Sequence, residues 1–422
     1  MFLHIDIDCF FASAHRSIDP SLKGIPIAVG SRSNLEIFDR ARNHTKLIQD
    51  NSGAFVTPVF HNRNRRDFES YFVDEIDGRR KIRGIVTTAS YEARARGVKT
   101  AMAISQALQL CPEMLVLPSN YPLYHKLSHQ MHEYVSSQIA LVEQYSIDEF
   151  FCDVSGWIDD SEVYGFATRL QQSLVDKFDI PVSIGISRAK WIAKLATESA
   201  KPYGVYEVKD IDSYIEEMPI AKFPGIGKAI QKRLGDRYIK TLGEIRREKE
   251  LLYSWGKIGV QLYGRITGEL VEQIEPKGER KSIGISRTFD PIDSSDEIRR
   301  RIMIMARHIA YITLSTDANP TSYYLKINYL YGEKAKMTLT VDRLFSEKLL
   351  KTTMAQMYDE IAHHNQSAIK LTISVSNFNH INHKTLSLID MSDDIVEHKM
   401  SIEIQDLRDK FGLDIIKNAN EL

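Results

Sequence analysis

Two short apolar segments of the sequence carry acidic residues in places where charge is costly. The first, HIDID near the N-terminus, contains Asp6 and Asp8, and the second, YSIDEFFCDVSG, contains Asp148 and Glu149. A carboxylate in an apolar strand is expensive unless it binds a cation. On neighbouring central strands of one sheet, Asp6, Asp148 and Glu149 would converge as three hard oxygen ligands, a set that suits Mg²⁺.

Two interpretations of these acids are open from the residues alone. Two Mg²⁺ ions roughly 3.5–4 Å apart could activate a 3′-hydroxyl and stabilise a leaving pyrophosphate. Alternatively, the acids are surface residues at the ends of strands. For Asp8 we predict a different role, as the N-cap of the helix that begins near Cys9, since an aspartate side chain commonly accepts the first free backbone N–H groups of a helix.

The elements that must position these acids follow from the hydrophobic pattern. Over the first 200 residues, short apolar runs alternate with amphipathic stretches, which predicts an α/β or α+β first domain. Residues 31–83 interrupt this alternation with a polar segment of 53 residues that includes HNRNRR and most of GRRKIRG. This segment is either a solvated insertion or an extension that contacts DNA.

The pattern of predicted elements changes after residue 204. Short helices with glycine turns are predicted to about residue 272, and the charged stretch QIEPKGERK (residues 273–281) is typical of a linker. A second α+β unit is expected over residues 282–378, followed by a polar, acidic stretch. In the helical region, FPGIGKAIQKRL predicts a helix-hairpin-helix whose helix N-terminus offers N–H groups to a DNA phosphate, although an ordinary turn is the alternative.

The net charge and the spacing of the cysteines limit the classes of protein to which this chain can belong. The 422 residues sum to a net charge of −1, but residues 221–257 carry +6, residues 387–422 carry −5, and residues 141–162 hold seven acids and no base. A near-neutral total therefore does not exclude a nucleic-acid enzyme, and the basic segment predicts salt-sensitive phosphate contacts. The three cysteines form no C-x-x-C pair, and no signal peptide or apolar run of about 20 residues is present. We expect a cytoplasmic protein with buried thiols.

Six ordered motifs carry a family resemblance: DIDCFFAS, SYEARARGVKTAM, YSIDEFFCDVSG, VSIGISRAKWIAKLA with AKPYG, FPGIGKAIQKRL, and RKSIG. Together they resemble the Y-family translesion DNA polymerases, with the bacterial DNA polymerase IV group nearest in pattern. The resemblance extends from residue 1 to about 378, with residues 31–83 as its main gap. It implies a template-directed polymerase of low fidelity that lacks proofreading, and that uses primer–template DNA, dNTPs and two Mg²⁺ ions.

The resemblance also implies a multidomain α+β fold shaped like a right hand. The expected parts are a ferredoxin-like palm (1–11 and 119–200), fingers (12–118), a helical thumb with the helix-hairpin-helix (201–272), a linker (273–281), an α+β little finger (282–378) and an acidic tail (379–422). A monomer is expected.

Site residues carry over from the motifs position by position. Asp6, Asp148 and Glu149 match the family's catalytic metal ligands, with the Ile7 carbonyl as a backbone ligand, and Phe11 matches the steric gate that excludes a ribose 2′-hydroxyl. The remaining matches fall into two groups. The triphosphate-binding residues are Thr88, Tyr91, Arg94 and Lys201, and the DNA-binding residues are Gly225, Gly227, Lys228 and Lys232. Lys194 lies in the same motif block as Lys201 and ranks second to it.

The tail contains HKTLSLIDM, which resembles a sliding-clamp peptide. Thr385 or Lys384 stands where glutamine is expected, so Leu386, Leu388 and Ile389 either bind a clamp or form an ordinary apolar edge. Two other functions are considered: a polymerase-like scaffold without catalysis, whose family members lose their acids, and a nucleotidyl cyclase, which shares a palm-like two-metal sheet.

Overall fold

The computed structural model describes residues 1–33, 35–38, 45–49, 56–60, 68–76, 78–275, 280–316, 319–363, 365–379 and 391–421. Within these stretches, no helix is both long enough and apolar enough to cross a membrane. All three cysteines are free and buried, as expected.

Strands and short helices alternate through the first half of the chain. In order, they are β1 (Phe2–Ile7), α1 (Phe10–Ile18), β2 (Ile27–Ser31), β3 (Thr45–Gln49), β4 (Val56–Phe60), α2 (Phe68–Phe72), β5 (Val73–Ile76), β6 (Arg79–Ile82), β7 (Ile85–Ala89), α3 (Tyr91–Ala95), α4 (Ile104–Leu110), β8 (Leu115–Pro118), α5 (Tyr121–Gln138), β9 (Leu141–Gln144), β10 (Glu149–Asp153), α6 (Val163–Phe178), β11 (Val182–Ser187), α7 (Lys190–Ala200) and β12 (Val205–Glu207).

A helical region and a second α+β region follow. Their elements are α8 (Ile211–Ile215), α9 (Lys228–Gly235), α10 (Leu242–Arg247), α11 (Lys249–Tyr253), α12 (Lys257–Thr267), β13 (Ser282–Ile292), α13 (Ser295–Leu314), β14 (Asn319–Tyr329), β15 (Lys334–Thr340), α14 (Glu347–Ile361), β16 (Ala368–Asn379) and α15 (Met391–Phe411). The predicted α+β organisation is therefore confirmed.

The described residues separate into two compact units. The first contains those of 1–31 and 68–275 together with Gln49, and the second contains those of 32–48, 56–60 and 280–421. In the first unit, a five-stranded sheet has the order β12-β11-β1-β10-β9, and a three-stranded sheet has the order β7-β2-β8. Helices α8–α12 surround a separate apolar core that α7 also joins.

Strand β1 lies at the centre of the five-stranded sheet, antiparallel to both β10 and β11. Because side chains alternate between the two faces of a strand, Leu3, Ile5 and Ile7 share one face, and they pack in the core with residues of α5 and α6. His4 and Asp6 occupy the other face. There, the Nδ1 atom of His4 lies 2.8 Å from the Oγ1 atom of Thr197, on α7.

The second unit is built on an antiparallel sheet of order β13-β16-β14-β15. Buried residues of α13 and α14 pack against it in one apolar core. In β14 the burial alternates from residue to residue toward its C-terminal end, which is the pattern of a sheet with one covered face.

Residues 35–38 contribute to this core, although they come from the segment 31–83. Ile37 is 2% exposed and Phe38 is 4% exposed. The ring of Phe38 meets that of Phe289 edge-on, with centroids 6.4 Å apart. The Arg301 guanidinium lies over both rings, at 4.6 and 4.7 Å. Part of the predicted insertion is therefore a structural element of the second unit.

The C-terminal residues also belong to this unit, and they pack through charged side chains. Arg307, 1% exposed, forms ion pairs with Asp414 and Glu421, each at 2.6 Å. Arg408 on α15 pairs with Glu347. Buried charges are tolerated when they are paired in this way, and removing one partner leaves a costly isolated charge. The acidic stretch after residue 390 is thus an integral part of the unit.

Helix α7 lies unusually close to the backbone of β11, and Gly185 permits this approach. A Cβ atom at position 185 would lie 2.1 Å from the carbonyl oxygen of Ala193 and 2.4 Å from the backbone nitrogen of Thr197. Both of these atoms belong to the backbone, so a side chain here could be accommodated only by moving the helix.

We therefore expect Gly185→Ala to lower the free energy of unfolding by about 1–3 kcal/mol, the usual cost of overpacking a core. Thermal unfolding followed by circular dichroism measures the change. Gly165→Ala is the matched control, because Gly165 lies within α6 and the nearest atom to a Cβ there is in the flexible Arg169 side chain, at an ordinary contact distance of 3.4 Å. The control should be neutral or stabilising, since alanine favours helix more than glycine does. Equal stability of the two variants would contradict the close approach.

Candidate active site

Strands β1 and β10 bring the three predicted acids together. In their antiparallel register, Asp6 stands directly opposite Glu149. Asp148 immediately precedes β10, and its carbonyl oxygen accepts a hydrogen bond of 2.9 Å from the backbone N–H of Ile7. Ile7 itself pairs with Val182 on β11. The carboxylates and the predicted backbone ligand therefore lie at one end of the sheet.

Each acid side chain has a polar partner from the chain itself. The Nζ atom of Lys201 lies 2.9 Å from Oδ2 of Asp6, Lys194 donates to Glu149, and the Ser146 hydroxyl donates to Asp148. Among the residues that the structure describes, no three His, Cys, Asp or Glu side chains are already arranged around one ion position.

Burial dominates the electrostatics of these acids. It raises the pKa of the Asp6 carboxyl to about 7, against the opposing effect of the Lys201 ammonium, and the charges of Asp148 and Glu149 raise that pKa further. Burial also raises the pKa of Asp148. Three partly buried carboxylates that repel one another create a strong demand for cations.

Helix α7 supplies the cations that meet this demand. Lys194 lies in its interior, and Lys201 follows its last residue. Lys201 lies between Asp6 and Glu198, whose Oε1 atom is 3.0 Å from Nζ. Since α7 rests on β11 at Gly185, the close approach of helix and strand places both lysines beside the acids. Lys194, the weaker candidate from sequence, is in direct contact with Glu149.

Phe11 is the second residue of α1 and packs against two tyrosines of α5. Its ring stacks on that of Tyr124, with centroids 4.1 Å apart and planes inclined by 10°, and it meets Tyr121 edge-on at 6.0 Å. Phe11 is partly exposed, whereas Phe10 is 2% exposed and packs in the core. Phe10 is therefore a core residue.

The predicted triphosphate residues lie on β7 and α3. Thr88 pairs with Val29 in the three-stranded sheet. Tyr91 opens α3 directly after its N-cap, Ser90. The Arg94 guanidinium lies 5.2 Å from the centroid of the Tyr91 ring, and its Nε donates to the carbonyl oxygen of Ala89 at 2.9 Å. Tyr91 and Arg94, three residues apart, thus share one face of α3.

Asp8 does not have the role that the sequence predicted for it. The N-cap of α1 is Cys9, which adopts a left-handed conformation and makes no side-chain capping bond. The Asp8 side chain is fully buried and accepts hydrogen bonds from the Tyr91 hydroxyl at 2.5 Å and the Ser183 hydroxyl at 2.7 Å. The N-cap prediction is wrong because the Asp8 carboxylate turns toward β11 and α3, where these two hydroxyl groups bond it, and Cys9 occupies the N-cap position.

In the segment FPGIGKAIQKRL, a tight turn at Gly225 leads into α9. Gly225 adopts φ = +93°, a conformation that L side chains rarely accept. Gly227 is the N-cap of α9 and offers no side chain to its first turn. Lys228 and Lys232 are exposed on the same helix. The clamp candidates Leu386, Leu388 and Ile389 lie outside the described residues.

Comparisons with known proteins place these features in a family. The model of the impB/mucB/samB family matches residues 5–198. The DNA polymerase IV of Pectobacterium atrosepticum is 31% identical over 295 residues, which are 68% of this chain and 70% of that protein. The DNA polymerase IV of Pasteurella multocida is 29% identical over 342 residues, 79% of this chain and 82% of that protein.

Solved structures show the same fold at lower sequence identity. A Y-family DNA polymerase chimera of Dbh and Dpo4 has a TM-score of 0.69 and 20% identity, and covers 89% of this chain and 98% of its own. An insertion ternary complex of Dbh DNA polymerase has a TM-score of 0.54 and 18% identity, with the same coverage. The likeness spans both units of the chain.

Proposed function

This chain belongs to the Y family of DNA polymerases, and from that premise we propose how its residues carry out the reaction. It is a template-directed translesion DNA polymerase that extends a primer with dNTPs. The observation that carries the proposal is the convergence of Asp6, Asp148 and Glu149 at adjacent strand ends. All three acids are present, which favours catalysis over a scaffold role, and the named relatives favour a polymerase over a cyclase.

The donor set at this end of the sheet fits magnesium. Three carboxylates on paired strands, joined by the Ile7 carbonyl, offer the hard oxygen atoms that Mg²⁺ prefers. We propose that these four residues hold two ions. Bound there, the ions would promote deprotonation of the primer 3′-hydroxyl and neutralise charge on the leaving pyrophosphate.

The two lysines give the site positive charge of its own. The ammonium of Lys201 lies 2.9 Å from Asp6. We propose that it donates to the triphosphate, since a triphosphate bound at these acids through metal ions would lie beside this ammonium. Lys194 orients Glu149 through their ion pair. Phosphoryl transfer depends chiefly on such positioning and charge neutralisation.

Four further residues complete the proposed nucleotide site. Arg94 presents a planar guanidinium, which suits phosphate oxygens, and its Nε bond to Ala89 leaves the terminal nitrogens for the ligand. Tyr91 contacts it on α3, and Thr88, on β7, lies two residues before the N-cap of that helix. Phe11, held flat against Tyr124, is proposed to exclude a ribose 2′-hydroxyl by contact with its ring.

The hairpin at Gly225 and Gly227 is proposed to bind the DNA backbone. Backbone N–H groups at the start of α9 can donate to a phosphate, and Lys228 and Lys232 add charge that attracts the duplex without reading its sequence. Clamp binding through Leu386, Leu388 and Ile389, a monomeric state and a cytoplasmic location remain predictions.

Asp148→Ala tests the metal assignment. We expect primer extension to fall roughly a thousandfold, because electrostatic stabilisation of the transition state is removed. Asp153→Ala is the matched control: Asp153 lies at the other end of β10, opposite Phe2, and its replacement should leave extension near the wild-type rate. Extension by Asp148→Ala within tenfold of wild type would refute the assignment.

Phe11→Ala tests the gate. Removing the ring should raise the efficiency of ribonucleotide incorporation relative to deoxynucleotide incorporation, measured as a ratio of kcat/KM values for one primer–template. Phe11→Tyr keeps the ring and should keep the discrimination. If Phe11→Ala selects sugars as strictly as the wild type does, another residue excludes the 2′-hydroxyl.

Lys228→Ala with Lys232→Ala tests the hairpin as a DNA grip. The slope of log affinity against log salt for primer–template binding should decrease by about 0.9 for each phosphate that the variant no longer neutralises. A double change of the exposed Lys126 and Lys177 to Ala removes the same charge from α5 and α6 and should preserve the slope. Identical slopes for the two double variants would show that net charge alone matters.

A further inference from the structure

Asp8 is a fully buried carboxylate beside the nucleotide site, and none of the roles proposed above uses it. It is 0% exposed, and both of its side-chain oxygens accept hydrogen bonds. Oδ2 accepts from the Ser183 hydroxyl at 2.7 Å and from the backbone N–H of Tyr203 at 3.3 Å. Oδ1 accepts from the Tyr91 hydroxyl at 2.5 Å.

Two of these donors, Ser183 and Tyr203, hold Asp8 in place, and the third, Tyr91, is the residue that Asp8 positions. Ser183 belongs to β11 and lies opposite Asp6 in the sheet register, so it fixes the carboxylate to the five-stranded sheet. The Asp8 backbone is held as well, since its N–H donates to Pro181 and its carbonyl oxygen accepts from Ser13. With Oδ2 anchored, Oδ1 is presented to α3 in one orientation.

The hydrogen bond to Tyr91 has an effect on Arg94. The Tyr91 ring carries the Arg94 guanidinium at 5.2 Å on its face and meets the Tyr203 ring edge-on at 5.2 Å. Because the phenol hydroxyl donates a hydrogen bond to Asp8 and the ring contacts Tyr203, the Tyr91 ring is held at two points. The position of the ring then sets where the terminal nitrogens of Arg94 can lie.

We propose that Asp8 is a positioning residue of the triphosphate site, which holds Tyr91 and, through the Tyr91 ring, Arg94 in the arrangement that receives the incoming nucleotide. This inference rests on the proposed function of Tyr91 and Arg94. Preorganised donors bind a ligand without the cost of ordering them first. Replacing Asp8 should therefore weaken nucleotide binding while the chemical step is little changed.

The test compares steady-state kinetics of single-nucleotide incorporation by the full chain. We expect Asp8→Ala to raise KM for dNTP about tenfold, the effect of removing one charge-assisted hydrogen bond, with kcat changed less than about twofold, as for an interaction made equally in the ground and transition states. Asp8→Asn can still bond the phenol and should have a smaller effect on KM than Asp8→Ala.

A double-mutant cycle shows whether Asp8 acts through Tyr91. In a Tyr91→Phe background, which lacks the hydroxyl, Asp8→Ala should change KM less than about twofold, because coupled residues lose their effect together. The proposal is overturned if the full effect persists in that background. It is also overturned if kcat falls and the Mg²⁺ requirement rises, which would mean that Asp8 acts on Asp6. If Asp8→Ala does not fold, Tyr91→Phe alone should raise KM for dNTP by a comparable factor, because it removes the same hydrogen bond, and an unchanged KM for Tyr91→Phe overturns the proposal.

Two controls separate this inference from the assignments on which it rests. Tyr311→Phe removes a hydroxyl-to-carboxylate bond of the same kind, to Asp409 at 2.8 Å in the second unit, and should leave KM unchanged. Arg94→Ala should itself raise KM. An unchanged KM for Arg94→Ala overturns the triphosphate assignment, whereas a raised KM for Arg94→Ala with an unaffected Asp8→Ala overturns only the role of Asp8.

Discussion

The antiparallel pairing of β1 with β10 on one side and β11 on the other is the constraint on which the site depends. This register sets Asp6 against Glu149 and against Ser183 at once. Because side chains alternate along a strand, a slip of one residue would turn Asp6 into the apolar face and expose Ile5 or Ile7. The apolar face, buried under α5 and α6, therefore fixes the register, and the register fixes the chemistry.

Electrostatic demand at this point of the sheet explains several features that otherwise look unrelated. Burial and neighbouring negative charge raise the pKa values of Asp6 and Asp148, and the ammonium groups of Lys194, in α7, and Lys201, directly after it, lie beside the acids. That helix can approach only because position 185 has no side chain. A glycine in a strand thus contributes to the charge balance of the site, even though it carries no charge.

Much of the fold and the site could be predicted from sequence, because the relevant signals are local. The two apolar segments that carry acids predicted β1 and β10, and their residue types alone suggested the candidate ligands. Asp8 was misassigned because its partners, Tyr91 and Ser183, are 83 and 175 positions away. No pattern near Asp8 distinguishes a helix cap from a buried carboxylate with distant donors. The docking of α15 was also invisible, since it presents polar residues such as Gln405 and Arg408 to the unit rather than apolar ones.

The burial of residues 35–38 in the second unit has a consequence for the order in which the protein is made. Ser33 accepts a hydrogen bond from Thr288, 255 positions later, and Phe38 fills a core whose other walls are β13 and α13. During synthesis this early segment leaves the ribosome long before residues 282–314 do. Its apolar side chains therefore cannot reach their place in the core until most of the chain has been made. Closing so long a loop is slow, as for any contact of high sequence separation. A fragment that begins at residue 280 would lack two of its own core side chains, Ile37 and Phe38, so a single cut in the sequence cannot release the C-terminal unit with its core complete.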